Sequence, residues 1–223
     1  MINKSDDIEN KVFTNFINIY LPTEAQIQTL EDLLEGNKLP ILLESLGEKI
    51  DFWETVPIQT KGSIRFKNKM STNIQKTYEY LNKNKVRFQN KIAPCSLKDL
   101  LGFIWDIFVS LYMNNFSKQV LVKMILQQIA KIDPDLQIKN MGNSISKGVP
   151  FIALLSKASK GTIEYVNNVD LKFNFEYIKR SCESMNIPFV LIEDCISKTA
   201  YDKCNCIQAS IILKHMNAFN ALP

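Results

Sequence analysis

Five cysteines, a single histidine and the adjacent carboxylates Glu193-Asp194 are the residues of this chain whose types could do chemistry. Cys204-Asn-Cys206 would present two thiolates to a soft metal such as zinc, yet a zinc site needs a second ligand pair at matching spacing, and none follows. The one imidazole, His215, lies four residues before the last aromatic, Phe219, on a segment of apolar helical spacing. A lone histidine in that setting is a satisfied core or rim residue far more often than a general base. Glu193 and Asp194 are neighbours in sequence, so on a helix they do not face one another, and they read as an acidic cap before the next helix. The glycines are single and scattered, so there is no phosphate-cradling loop. Nucleophile, base and orienter cannot all be filled. The sequence therefore predicts no enzyme activity, no cofactor and no metal.

The elements that carry these groups are helical. Of 223 residues, 46% are hydrophobic and 22% charged, with only seven Gly and eight Pro, which fits a folded helical protein better than a turn-rich β-sandwich or barrel. Ile8–Leu21 has apolar residues at helical spacing, with Ser5 and Asp6 as expected caps and Pro22 as its stop. Leu39–Leu46 reads as a short buried helix closed by Gly47, Asp51–Arg65 as irregular, and Asn68–Asn82 as amphipathic. Ser96 is placed to cap a helix running to about Asn115 that is apolar on almost every side. The scheme then recurs: Ser117–Ile132, Ser144–Ala158, Val169–Met185 and Tyr201–Phe219. Gly36 to Gly148 is 112 positions, and Trp105 to Ile211 is 106. A period this long marks a duplicated domain rather than a solenoid unit. The expected organisation is two all-α domains, 1–115 and 116–223, joined near Asn114–Ser117.

Charge and cysteine use bound the partners. Net charge is only +4, but nine cations between Lys61 and Lys91 face the single anion Glu79. Such a belt is either a solvated face or a means of steering an acidic partner. Met1–Asn10 is polar and acidic, so no signal peptide is expected, and the odd, irregular cysteines fit reduced thiols in a cytoplasmic protein. The longest apolar run, Leu100–Met113, is 14 residues and contains Asp106, too short for the roughly 20 that a bilayer requires. Neither a transmembrane segment nor a nucleic-acid partner is expected.

Several segments resemble one family. Lys11-Val-Phe-Thr-Asn-Phe-Ile-Asn18 is similar to K-x-F-T-x-W-x-N, with Phe16 in place of Trp. Glu35-Gly-Asn-Lys-Leu-Pro-Ile-Leu-Leu-Glu44 resembles D-G-x-x-L-x-x-L-L-E, and Asn73-Ile-Gln-Lys-Thr-Tyr-Glu-Tyr-Leu81 resembles N-x-x-x-A-L-x-Y-L. L-G-x-I-W is intact at Leu101–Trp105. In the second half, Lys147-Gly-Val-Pro-Phe-Ile-Ala-Leu-Leu-Ser156 looks like D-G-x-x-F-x-A-L-I-H. Thr162-Ile-Glu-Tyr165 looks like x-L-I-D-Y, and Ile187-Pro-Phe-Val-Leu-Ile-Glu-Asp194 like I-P-x-x-L-x-x-E-D. Together these resemble the tandem calponin-homology actin-binding domain, the head module of α-actinin, spectrin and filamin. Departures include Lys147 for the usual acid, Ile145 where Trp is common, and a Pro in both short helices.

The resemblance implies two domains, each of four main helices plus short ones, in a cytoplasmic protein of the actin cytoskeleton. It implies F-actin binding mainly through Lys11–Leu21, Ser96–Asn115 and Ser117–Lys131, with the second domain modulating affinity and the pair opening and closing. The contacts carried over are Lys11, Thr14, Asn18, Lys98, Leu101, Trp105 and Phe108, with Lys118 and Lys123 from the second domain. Leu101 and Trp105 also read as plain core. Lys139, Lys147, Lys157 and Lys160 are the subsidiary candidates for a phosphoinositide membrane surface. Filament crosslinking would need dimerisation or regions outside this chain. The alternative is an adhesion scaffold of the parvin type that holds a partner's amphipathic helix in a groove.

Overall fold

A computed structural model describes residues 4–54, 64–84, 86, 88, 96–197, 199 and 201–221. The chain divides into two compact units, Met1–Asn115 and Phe116–Pro223. All regular elements among the described residues are helical. The first unit holds α1 (Lys4–Asn18), α2 (Lys38–Ser45), α3 (Ile64–Asn84) and α4 (Leu97–Ile107). The second holds α5 (Lys118–Ile129), α6 (Val149–Ala158), α7 (Leu171–Ser184) and α8 (Asp202–His215). No described helix is long and apolar enough to cross a membrane.

In the first unit α1 lies against α4, and rings fill the seam. Phe16 meets Phe108 and Tyr112 edge-on at 5.1 Å each, and Trp105 meets Phe13 edge-on at 6.3 Å. Edge-to-face pairs add to what burial of the ring area already contributes. Ser96 caps α4, its hydroxyl accepting from Asp99 N at 3.2 Å. The long apolar helix expected over Ser96–Asn115 is instead α4 followed by one π-helical turn, Phe108–Tyr112, in which Met113 N bonds Phe108 O. Asn114 and Asn115, at φ +51° and +62°, then end it. The first helix also differs from expectation. It begins at Lys4, so Ser5 and Asp6 lie inside its first turn rather than capping it. It stops at Asn18 because that side chain turns away to the backbone of Ile27, and Ile19 and Tyr20 tighten into i−3 bonds. Gly47 at φ +92° closes α2, with Glu48 N bonded to Leu43 O at 2.8 Å.

In the second unit α6 is the central helix, packed by α5, α7 and α8. Every residue from Val149 to Ser156 is buried, so the expected apolar patch around Phe151, Leu154 and Leu155 is a helix apolar all round. It starts at Val149 rather than Ser144, because Gly148 sits at φ +84° and breaks the helix there. Pro150 in the first turn gives up no helical bond. Glu193 and Asp194 do not cap α8; they form their own one-turn 3-10 helix, Glu193–Cys195, ahead of a connection to Asp202.

Gly148 carries a strong stability requirement. A Cβ there would stand 2.8 Å from Ile178 Cδ1 and 3.4 Å from Asn174 Cβ, in a left-handed backbone that L side chains resist. Gly148→Ala is expected to destabilise the second unit by about 2 kcal/mol, part conformational and part overpacking. Thermal denaturation followed by circular dichroism checks it, and an unchanged midpoint would refute the packing account.

Candidate functional site

The residues expected to meet a partner divide into exposed cations and buried structure. α1 presents Asp7, Lys11 and Asn15 to solvent at four-residue spacing, and Ile19 in the turn that follows is exposed too. Lys11 pairs with Asp7 at 2.8 Å on this exposed face. Thr14 and Asn18 sit elsewhere. Thr14 is buried, with Oγ1 donating to Asn10 Oδ1 at 3.5 Å, and Asn10 accepts from Leu30 N at 3.1 Å. Asn18 donates to Ile27 O at 2.9 Å and accepts from Ile27 N at 2.8 Å. Both therefore tie α1 to the chain that follows it. Sequence reasoning missed Asn15 and Ile19, although stepping by four from Lys11 reaches them.

On α4, Lys98 is exposed, whereas Leu101, Trp105 and Phe108 are only 2%, 7% and 1% exposed. All three side chains are buried in the first unit, where the rings of Trp105 and Phe108 pack against Phe13 and Phe16. On α5 the solvent stripe is Gln119, Lys123 and Gln127. Lys118 is half-buried and pairs with Asp202, tying the start of α5 to the start of α8. Burial pushes the Asp202 carboxyl up, but the hydrogen bond and charge of Lys118 outweigh it and hold the group below the usual carboxylate range. That depression adds stability above the unfolded carboxylate range, which is lost as pH falls through the folded value. The exposed lysines left from the expected surface are Lys11, Lys98 and Lys123, on α1, α4 and α5.

The basic belt lies mostly outside the described side chains. Lys76 and Lys83 of α3 are described and exposed; Lys61, Arg65, Lys67, Lys69, Lys85, Arg87 and Lys91 are among those whose side chains are not. Glu79 bonds Gln75 within the same helix.

The four lysines suggested for a lipid headgroup do not form one site. Lys157 and Lys160 line a cavity of about 640 Å³ with Gln128, Ser156 and His215, whereas Lys139 lines a separate one of about 340 Å³ with Lys118 and Asp202. Lys147 lines neither, though it is exposed. The larger cavity lies where α6 and α8 end, so its cations already have a role in offsetting the negative ends of the helix dipoles. His215 is exposed there, at the rim.

Cys182, Cys195, Cys204 and Cys206 are free and buried, and no cluster of His, Cys, Asp and Glu suited to a metal ion occurs among the described residues; Cys95 lies outside them. Along α7, Val169, just before the helix and 89% exposed, is followed at four-residue spacing by Phe173 and Tyr177, which stack at 5.6 Å. This apolar strip was not anticipated, although its spacing is plain in the sequence.

No protein-family model matches the chain. Over 126 residues it is 27% identical to Muscle-specific protein 300 kDa of Drosophila melanogaster, a match that covers 52% of this chain and 1% of that far longer protein.

Proposed function

We propose that this chain is a filament-binding module of two calponin-homology domains that binds F-actin chiefly through its first unit, as part of a cytoskeletal protein. The observation that carries the reading is a parallel between the units. Each runs through four main helices in the same order, with a left-handed Gly, Gly36 or Gly148, ahead of the second. In each, the third helix holds a buried Asn whose Nδ2 donates to a backbone carbonyl of the preceding chain: Asn73 to Glu54 O at 2.7 Å, Asn174 to Lys147 O at 2.8 Å. Glu35–Glu44 and Lys147–Ser156, two segments of the resemblance, end on the second helix of each unit, α2 and α6, and Leu101–Trp105 lies within α4. A muscle-specific relative is a natural setting for such a module.

Lys11, Lys98 and Lys123 are the best contact cations. They would act mainly on encounter rate and salt dependence, with nearby uncharged residues such as Ile19 supplying apolar area. Lys98 is the sharpest probe because it lies in the first turn of α4, where an acid is favourable to the helix. The double variant Lys98→Glu, Lys123→Glu is expected to keep the parent melting temperature. It should weaken co-sedimentation with F-actin about tenfold, with a shallower dependence on salt. Unchanged pelleting would remove α4 and α5 from the filament surface.

One observation favours the second reading, a scaffold that holds a partner's amphipathic helix: exposed Val169 and Phe173, with the half-buried Tyr177 stacked on Phe173. Absence of pelleting by the parent chain at low salt would shift the assignment to that strip. Binding to a phosphoinositide surface would rest on Lys157 and Lys160, which line one cavity.

A further inference from the structure

The connection from α6 to α7 has no regular structure over residues 164–168, and side chains hold it in place. Ser159 Oγ accepts from Ile163 N at 2.9 Å, Tyr177 OH donates to Glu164 O at 2.8 Å, and Asn174 Nδ2 donates to Asn168 O at 2.9 Å. A further tie is the Tyr165 hydroxyl, which donates to Asp133 Oδ2 in the chain that follows α5. Asp133 is itself fixed, because its Oδ1 accepts from Asp135 N at 3.1 Å and its own N–H bonds Ile129 O at 3.1 Å. The phenol–carboxylate bond therefore latches together two connections that lie 32 residues apart in the chain. It depends on the phenolic proton, since an ionised carboxylate only accepts. Burial, the Asp133 hydrogen bond and the Asp133 charge all push the phenol up, which keeps that proton in place.

Tyr165 is also the tyrosine best placed for a modifying enzyme. Of the seven tyrosines, Tyr78, Tyr80 and Tyr177 lie within α-helices and Tyr112 within the π-helical turn. Tyr201 is buried, and Tyr20 packs against Phe16 and Tyr112. Tyr165 is half-buried on an irregular segment, with Glu164 and Asn167 exposed on either side. An enzyme that takes its substrate as an extended strand is served by such a segment, whereas a helical tyrosine must first be unwound. Glu164, immediately ahead of Tyr165, adds the kind of charge that a basic substrate groove selects.

We propose that Tyr165 is a phosphorylation site, and that its modification breaks the latch to Asp133 and frees the connection over residues 162–169. The phenolic oxygen attacks the γ-phosphorus of a nucleoside triphosphate held by a tyrosine kinase. The bond to the β,γ-bridging oxygen breaks, the diphosphate leaves, and the phenolic proton passes to the kinase's base. The product has lost its phenolic donor and carries a charge of about −1.5 to −2. Placed against the Asp133 carboxylate it is repelled, so the ring must swing out to water. Of the ties named above, only the Tyr177 bond then remains on residues 164–167. The change stays local, because α6 and α7 pack directly on one another.

The test treats the full chain with a tyrosine kinase catalytic domain and Mg-ATP, maps phosphate by mass spectrometry, and follows amide hydrogen exchange. The expected result is phosphate on Tyr165 ahead of the other tyrosines. Exchange over residues 162–169 should become about tenfold faster than in the unmodified chain, while α6 and α8 stay unchanged. Asp133→Asn separates repulsion from the lost bond. Its amide accepts from the phenol and donates to the phosphate, so phosphorylation should speed exchange there by no more than about twofold. Phosphate on other tyrosines with Tyr165 unmodified would overturn the proposal. So would a phosphorylated Tyr165 with unchanged exchange over residues 162–169, or an equal acceleration in parent and Asp133→Asn. The parent measurement decides the matter even if the asparagine variant does not fold.

Discussion

Phe108→Ala lowers the stability of the first unit by about 4 kcal/mol, within the range for truncating a fully buried aromatic. The ring is 1% exposed and touches three others: Phe16 at 5.1 Å, Tyr112 at 5.2 Å and Trp105 at 5.5 Å. Removing it loses the transfer free energy of the ring and leaves a void between α1 and the π-helical turn, which the rigid neighbouring rings cannot fill. Measurement is direct because both tryptophans, Trp53 and Trp105, belong to the first unit. Intrinsic fluorescence in urea therefore follows that unit, and its midpoint should fall by about 2 M. If Phe108 were instead a partner anchor held in solvent, the midpoint would stay put while filament binding fell. The two accounts move different observables.

The same residue shows how far the sequence reaches. Its apolar spacing placed a helix over this region, and Ser96 marked the start, because a hydroxyl three residues before Asp99 has few better uses than capping. An apolar residue on such a helix reads equally as core or as contact, since the pattern records that water is excluded and not which neighbour excludes it. Rings from α1, just over ninety residues earlier in the chain, cover Phe108 and Trp105, and Leu101 is buried beside them in sequence. Thr14 and Asn18 were opaque for a related reason. As polar residues on a surface helix they suggest contacts with a partner, but Asn18 bonds Ile27 and Thr14 bonds Asn10, which itself accepts from Leu30 N, and that stretch has no periodic pattern to announce it. Lys11, Lys98 and Lys123 were legible because an amine on a long stem rarely stays buried unpaired.

Asn174 supports the largest polar effect in the second unit. It is fully buried on α7, and its Nδ2 donates to Lys147 O at 2.8 Å and Asn168 O at 2.9 Å. Two carbonyls facing one atom leave no doubt that the atom is the amide nitrogen. These bonds hold the chain on either side of α6: Lys147 precedes Gly148, and Asn168 lies just before α7. Asn174→Asp keeps the shape but replaces a double donor by an acceptor against two carbonyl oxygens. The introduced carboxyl, buried and facing negative dipoles, must have its folded pKa raised above the unfolded value. A raised acid pKa means the folded state holds the proton more tightly than the unfolded state, so stability is retained below the unfolded pKa and lost as pH rises towards the folded one. The variant should therefore melt close to the parent near pH 4 and fall progressively behind it towards pH 8, where the deficit reaches about 4 kcal/mol. Asn174→Leu separates the terms. It also strands the two carbonyls, but its deficit should be smaller and independent of pH, because no charge is buried. Circular-dichroism melts of the three proteins across that pH range make the comparison. A deficit for Asn174→Asp that stays constant with pH would mean that the carboxylate escapes to water, and that the Lys147–Asn168 clamp gives way before the charge is ever buried.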